Sequence, residues 1–172
     1  MPAFLVTGNP GSGKSALVRE LAGRGVLAID PDEDPELAHW DDAAGRRVSG
    51  PPRPDGEWLR SHRWVWNRSR LAEVLAGHDR AVFVCGIARN QGELLDLFDR
   101  VFLLRIDEAA QEARLAAHDA LHPPGRSQAA RQEIREGRAM FETQMLRVGA
   151  VALDGTAPTA VVADELLALA AT

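Results

Sequence analysis

The sequence predicts a three-layer α/β domain built on a parallel sheet. Five short apolar runs alternate with helix-like segments along the chain, the pattern of a sheet covered by helices on both faces. The first run leads directly into Gly8-Asn9-Pro10-Gly11-Ser12-Gly13-Lys14-Ser15, a glycine-rich turn that opens a helix. No repeat, linker or second apolar cluster divides the 172 residues. A chain of that length is about one domain and hides roughly 70% of its unfolded surface. We therefore expect one domain over 1–172.

Each element has its own signal. Residues 3–7 (AFLVT) form a short apolar run suited to a buried parallel strand. In 15–22, Leu17, Val18 and Leu21 share one helical face, and Gly23 and Gly25 end the helix. A second strand is expected over 26–30, ending in Asp30. Residues 31–66 are polar, proline-rich and without clear periodicity, and they hold all four tryptophans, Trp40, Trp58, Trp64 and Trp66. An irregular stretch of that length is usually functional or disordered, and the tryptophans favour order. A helix follows over 67–77, a third strand over 81–85, a short helix over 91–98 and a fourth strand over 101–106. A helix over 108–119 is broken by His122-Pro123-Pro124-Gly125. Then come a long helix over 128–147, a fifth strand over 150–153 and a closing helix over 159–170.

Composition narrows the function. Apolar residues make up 45% and charged residues 26%, ordinary for a globular protein. Disorder, collagen and coiled coil are poor fits. The net charge of -5 argues against nucleic acid as a partner. No run approaches the ~18 apolar residues that cross a membrane. Met1-Pro2-Ala3-Phe4 carries no basic leader. A single cysteine, Cys85, suits a reducing cytoplasm. Nineteen arginines stand against one lysine, Lys14, which makes that lysine informative.

Lys14 lies in G-x-x-x-x-G-K-S, the Walker A pattern. Its glycines let backbone N–H groups approach phosphate oxygens, and the helix that follows turns its positive end toward the anion. Lys14 would contact the β- and γ-phosphates, and the Ser15 hydroxyl would ligate Mg²⁺. A chance glycine turn is the alternative, and the strand before and helix after argue against it. Gly8, Asn9, Pro10, Gly11, Ser12, Gly13, Lys14, Ser15 and Ala16 are thus the expected contacts of a nucleoside triphosphate.

Ligands of open α/β sheets lie beyond the carboxyl ends of the strands. Asp30 and Asp32 form a D-x-D there. One carboxylate would accept the proton of an acceptor hydroxyl, and the other would hold the water shell of Mg²⁺. Asp30 is the first choice because the strand fixes it. A solvated acidic turn remains the competing reading, since Glu33, Asp34 and Glu36 continue the charge. A Walker B carboxylate is expected after a later strand, but those ends hold Cys85-Gly86 and Asp107. Cys85 reads as a buried small residue. Gly86 would let an acceptor approach the backbone, with Arg89 and Asn90 beside it. Seven arginines between 46 and 70, Arg60 among them, either bind an anionic acceptor or pair with nearby acids. The tryptophans either stack on a planar acceptor or pin the segment to the core, the latter preferred for Trp66. A second irregular segment, 118–130, would serve as a lid carrying Arg126 and Arg131. Arg135 and Arg138 continue along its helix.

With these motifs in place, the chain resembles the small P-loop kinases, the shikimate kinase, adenylate kinase and gluconate kinase group. The resemblance covers the whole element order. It is specific at Gly8 to Ser15, Asp30 and Asp32, Arg114-Leu115, the lid arginines, and Asp154-Gly155-Thr156-Ala157-Pro158. It implies a P-loop NTPase fold with a five-stranded parallel sheet in order 2-3-1-4-5. It also implies Mg·ATP as phosphoryl donor, Arg114 near the adenine, and Gly155, Thr156, Ala157 and Pro158 bordering the base. The chain is also similar to a set of actinobacterial AAA-type ATP-binding proteins through Asp55-Gly56-Glu57-Trp58, Asn90-Gln91-Gly92, Phe98-Asp99-Arg100-Val101 and Pro124-Gly125-Arg126-Ser127. That set names no acceptor.

Two departures bear on the acceptor. His118 stands where nucleotide kinases often carry a second arginine. Gly86 is followed by Ile87 rather than a glycine run, which argues against shikimate itself. The expected function is transfer of the γ-phosphoryl of ATP to a nucleoside, nucleotide or other metabolite, by a monomer or homodimer. A nucleotide-binding regulatory protein is a competing class. Its guanine form would need an N-K-x-D motif, and the only lysine is in the phosphate loop. Phosphorylation of an antibiotic hydroxyl is a third possibility.

Overall fold

The computed structural model describes residues 1–52, 54–121 and 127–172. In chain order its first elements are β1 (Ala3–Thr7), α1 (Lys14–Gly23), β2 (Ala28–Ile29), a 3-10 turn (Pro31–Glu33), β3 (Ala38–Asp41), β4 (Arg47–Val48), α2 (Gly56–Ser61) and β5 (Arg63–Trp66). There follow α3 (Arg68–Ala76), β6 (Val82–Cys85), a 3-10 helix (Gln91–Leu97), β7 (Arg100–Arg105), α4 (Glu108–Leu121), α5 (Gln128–Arg147), β8 (Val151–Asp154) and α6 (Thr159–Ala170).

Five of the strands form one parallel sheet in the order β2-β6-β1-β7-β8. Counted along the chain, those five stand in the expected order 2-3-1-4-5. β1 is central and buried throughout, so its side chains alternate between two apolar layers. Phe4 and Val6 pack with Leu17 and Leu21 of α1 and with Val162 and Leu166 of α6. Ala3 and Leu5 pack on the other face with Leu71 of α3, Met145 of α5 and Trp66 of β5. The fold is the α/β/α sandwich read from the sequence. Its topology brings the turns after β1, β2, β6 and β7 to one edge of the sheet.

Residues 31–66 differ from the irregular stretch expected. β3, β4 and β5 form a separate antiparallel sheet in the order β4-β3-β5. Trp40 lies opposite Trp64 and Ala38 opposite Trp66. The strands are only two to four residues long and carry charges between the aromatics, so no period-2 apolar pattern shows in the sequence. Side chains on alternate positions share a face, so Trp40, Trp64 and Trp66 point the same way. Trp66 is 1% exposed and sits in the main core, pinning the segment there. Removing such an indole costs roughly 3–5 kcal/mol.

Other differences are smaller. The second strand pairs only at Ala28 and Ile29. Residues Gln91–Leu97 wind as a 3-10 helix. α5 and α6 match the expected bounds. Among the described residues no helix is long and apolar enough to cross a membrane.

Candidate active site

The turn between β1 and α1 is shaped by its glycines. Gly11 and Gly13 have φ of 86° and 102°, a region that side chains with a Cβ rarely adopt. α1 then starts with Gly13 as its cap, no side-chain capping bond and no acidic residue in its first turn. Its leading N–H groups and the positive end of the helix are thereby left for an anion. Lys14 Nζ donates to Gly8 O at 2.7 Å and Asn9 O at 3.2 Å, and an ammonium has three donors. Asn9 Nδ2 and Ser12 Oγ are buried with no hydrogen-bond partner among the described residues. An uncapped helix, a lysine and two orphan polar groups together fit a triphosphate. Burial lowers the Lys14 ammonium to about 8, against the attraction of Asp32 and Asp30.

A cavity of about 240 Å³ adjoins the loop, lined by Gly13, Ala16, Leu104, Arg114, Gly155 and Ala157 among others. Arg114 donates to Gly155 O at 2.7 Å and Gly11 O at 3.3 Å. It thus ties the phosphate loop to the turn before α6. Thr156 folds back onto Asp154, its N–H donating at 2.9 Å, and Pro158 caps α6. Sequence-distant residues assigned to the nucleotide are therefore brought together around one apolar slot. Pro10 accepts from Gln111 of α4 at 2.9 Å, a contact with no sequence signal.

On the other side of Lys14 lies the acidic pair. Ser15 Oγ donates to Asp30 Oδ2 at 3.3 Å, and Asp32 N donates to Asp30 Oδ1 at 3.1 Å. Trp64 Nε1 donates to Asp32 Oδ1 at 2.8 Å. Partial desolvation raises the Asp32 pKa above the ordinary value, with Asp30 adding to the rise and the Trp64 bond and Lys14 opposing it. Ser15 and Asp30 offer one hydroxyl and one carboxylate side by side. Among the described residues no three His, Cys, Asp or Glu side chains gather as a metal cage. A site with few protein ligands fits magnesium, which keeps several waters and takes phosphate oxygens. Cys85 is buried beneath this pair, and its thiol is pushed up to about 12, which removes it as a nucleophile.

On the acceptor side the fold gives several of the expected residues protein partners. Gly86 does not leave room for a ligand: a Cβ there would meet Trp66 Cζ2 at 2.5 Å and Pro31 at 3.1 Å. Protein fills that space. Asn90 spends its side chain on the Trp66 backbone, accepting from N at 3.0 Å and donating to O at 2.9 Å. It pins β5 to the turn after β6. Arg60 reaches Glu133 of α5 at 3.5 Å. Arg46, Arg47, Arg68 and Arg70 likewise pair with Asp42, Glu36, Asp96 and Asp34. Acid pairing, the plainer of the two readings, accounts for these five. Arg89 is exposed on the turn after β6, its N–H donating to Trp64 O at 2.8 Å.

The lid arginines divide. Arg126 lies outside the described residues. Arg131 contacts Glu112 of α4 at 3.4 Å, and Arg135 contacts the same carboxylate at 3.5 Å. Arg138 donates to Ile106 O at 3.1 Å. Asp107 accepts from Ala110 N at 2.7 Å and so caps α4, which is a structural use and not that of a Walker B carboxylate. A buried hydrogen bond joins the phosphate loop to the 3-10 helix. Thr7 Oγ1, at the foot of the phosphate loop, donates to Gln91 Oε1 at 3.1 Å, which also accepts from Ala88 N at 3.2 Å. Nothing in the sequence spacing of 84 residues could have exposed it.

No protein-family model matches the sequence, and no curated protein matches it. Solved structures do. A shikimate kinase from Acinetobacter baumannii, in complex with shikimate, superposes with a TM-score of 0.62 at 17% identity, covering 99% of this chain and 93% of that one. A gluconokinase from Sinorhizobium meliloti 1021 gives 0.55 at 20%, covering 97% and 90%. A deoxyadenosine kinase from M. mycoides with bound dATP gives 0.57 at 11%, covering 99% and 100%. The chain has the fold that these small kinases share.

Proposed function

We propose that the protein is an ATP-dependent phosphotransferase acting on a hydroxyl of a small molecule. The observation that carries this is the contact of Ser15 Oγ with Asp30 at 3.3 Å. It joins a complete phosphate loop to an acidic pair at one edge of the sheet. A binding protein needs the loop, whereas phosphoryl transfer also needs a carboxylate beside the terminal phosphate. The fold shared with shikimate, gluconate and deoxyadenosine kinases supports the same reading.

In this reading the base rests in the apolar slot beside Arg114, Gly155, Thr156, Ala157 and Pro158. The phosphates lie along Gly8 to Ala16. Lys14 contributes its remaining donor to the transferred phosphoryl. Ser15, with Asp30 behind it, would hold Mg²⁺, which when bound neutralises charge on the phosphate oxygens. Asp32 is then the better base, a change from the first choice of Asp30, because Asp30 is engaged by Ser15 and by Asp32 N. The acceptor oxygen bonds to the γ-phosphorus as the bond to the β-bridging oxygen breaks. ADP leaves with that electron pair, and the acceptor proton passes to Asp32. Arg131, with Arg126 if the lid supplies it, would steady the phosphoryl oxygens after leaving Glu112. Segment 118–130 would be that lid and 31–66 the acceptor side.

The test is ADP release by the purified protein with Mg·ATP across pooled hydroxyl acceptors, with Lys14→Ala as control. Acceptor-stimulated release that is lost in Lys14→Ala is the expected result. ATP binding without stimulation by any pool would favour a regulatory nucleotide-binding role.

A further inference from the structure

We propose that the acceptor is a neutral compound carrying an aromatic ring, held against the tryptophan face of the small sheet. This narrows the function proposed above and rests on that reading. Three observations carry it.

The first is the location of the aromatic surface. Trp64 donates to Asp32, so its indole edge lies at the carboxylate assigned to the acceptor hydroxyl. Trp40 packs on Trp64 with centroids 5.2 Å apart, and Trp58 meets Trp40 edge-on at 5.9 Å. A wall of indoles thus runs outward from the reacting position.

The second is incomplete burial. Trp66 alone is sealed in the core. Trp40, Trp58 and Trp64 are half-buried, and His62 already stacks on Trp58 at 3.5 Å. Apolar surface held open beside a reacting carboxylate suits a partner ring, which prefers stacked or edge-on contact.

The third is charge. Residues 31–66 contain eight carboxylates against five arginines. Of those arginines, Arg46, Arg47 and Arg60 are paired with acids. Arg63 alternates with Trp64 along β5 and so faces away from the tryptophan side. Arg53 lies outside the described residues. Among the described ones this balance disfavours a carboxylate or phosphate at the tryptophan face, and Arg89 is exposed on the turn after β6. Sugar acids and nucleoside monophosphates are disfavoured on that ground, and nucleosides and neutral aromatic alcohols are favoured.

Four acceptor pools separate the outcomes. They contain nucleosides with neutral aromatic alcohols, nucleoside monophosphates, sugar acids, and neutral polyols without rings. Each is offered to the intact protein in two assays: saturation-transfer NMR with Mg·ADP, and ADP release with Mg·ATP. The expected result is transfer to ring protons of a member of the first pool. Trp64→Leu should weaken its affinity about tenfold, and Trp64→Phe, which keeps a ring, about threefold or less. Binding confined to the other pools, or seen with none, overturns the proposal without any variant. So does aromatic binding that a folded Trp64→Leu protein retains in full. An aromatic ligand that binds without ADP release sustains the acceptor class and defeats phosphoryl transfer. Release with a sugar acid alone does the reverse.

Discussion

Trp64 Nε1 and Asp32 Oδ1 lie 2.8 Å apart, a hydrogen bond between the small antiparallel sheet and the carboxyl edge of the main one. The two residues are 32 positions apart in the chain. The bond stabilises the ionised carboxylate and so holds the Asp32 pKa down, against desolvation that raises it. Trp64→Phe keeps the ring and removes the donor. The Asp32 pKa should then rise further. A base works deprotonated, so the acid limb of the kcat/KM profile should move to higher pH. An acid limb that stays in place would remove Asp32 from the role of base.

The two carboxylates should fail differently. Asp32→Asn should lower kcat by about 10²–10⁴-fold, the usual range for a general base, with the KM for ATP little changed. Asp30→Asn should instead raise the Mg²⁺ concentration needed for half-maximal rate, because Asp30 backs Ser15. A Mg²⁺ titration of both variants at saturating acceptor checks the split. Identical losses would show that the pair acts as a unit.

Lys14 makes ATP binding pH-dependent. Its ammonium is lowered to about 8, and a bound triphosphate favours the charged form. Above pH 8 the protein must take up a proton to bind ATP. Affinity should fall about tenfold per pH unit there. Calorimetry at pH 8.5 in two buffers of different ionisation enthalpy reads that proton directly. Equal heats in both buffers would contradict the shift. For folding the sign is opposite. Between about 8 and 10.5 the unfolded chain holds a proton that the folded lysine has lost. This group therefore adds stability to the nucleotide-free protein as pH rises through that window.

Gly86 is predicted to be a packing residue. Gly86→Ala forces a methyl to within 2.5 Å of the Trp66 ring and 3.1 Å of Pro31. Overpacking of this kind costs about 1–3 kcal/mol, and Tm should fall by about 2–4 °C for each kcal/mol. Gly92→Ala is the control, since nothing lies within 4 Å of a Cβ there. Equal melting of both variants would mean that β5 yields easily.

The sequence by itself determined the sandwich, the strand order and the phosphate loop. Those are written in local signals. An apolar run makes a buried strand, Leu17 and Leu21 one turn apart make a helical face, and Gly11 and Gly13 supply the left-handed turn that only glycine takes easily. The place of Asp30 was legible too, directly after β2, whereas Asp32 is held by the 3-10 turn and by Trp64 of the small sheet. Tertiary structure alone decided the small sheet and its contacts. Ala38–Asp41 and Arg63–Trp66 are too short to show a period, and they become strands only by pairing with each other. Asn90, Gly86 and Arg60 looked like ligand contacts because a polar or glycine residue on a turn reads the same whether it faces solvent, substrate or protein. In the fold they meet Trp66 and Glu133. The physical reason is range. Backbone propensity and side-chain periodicity act within a few residues, whereas a hydrogen bond or a filled gap depends on which distant segment arrives, and the fold sets that.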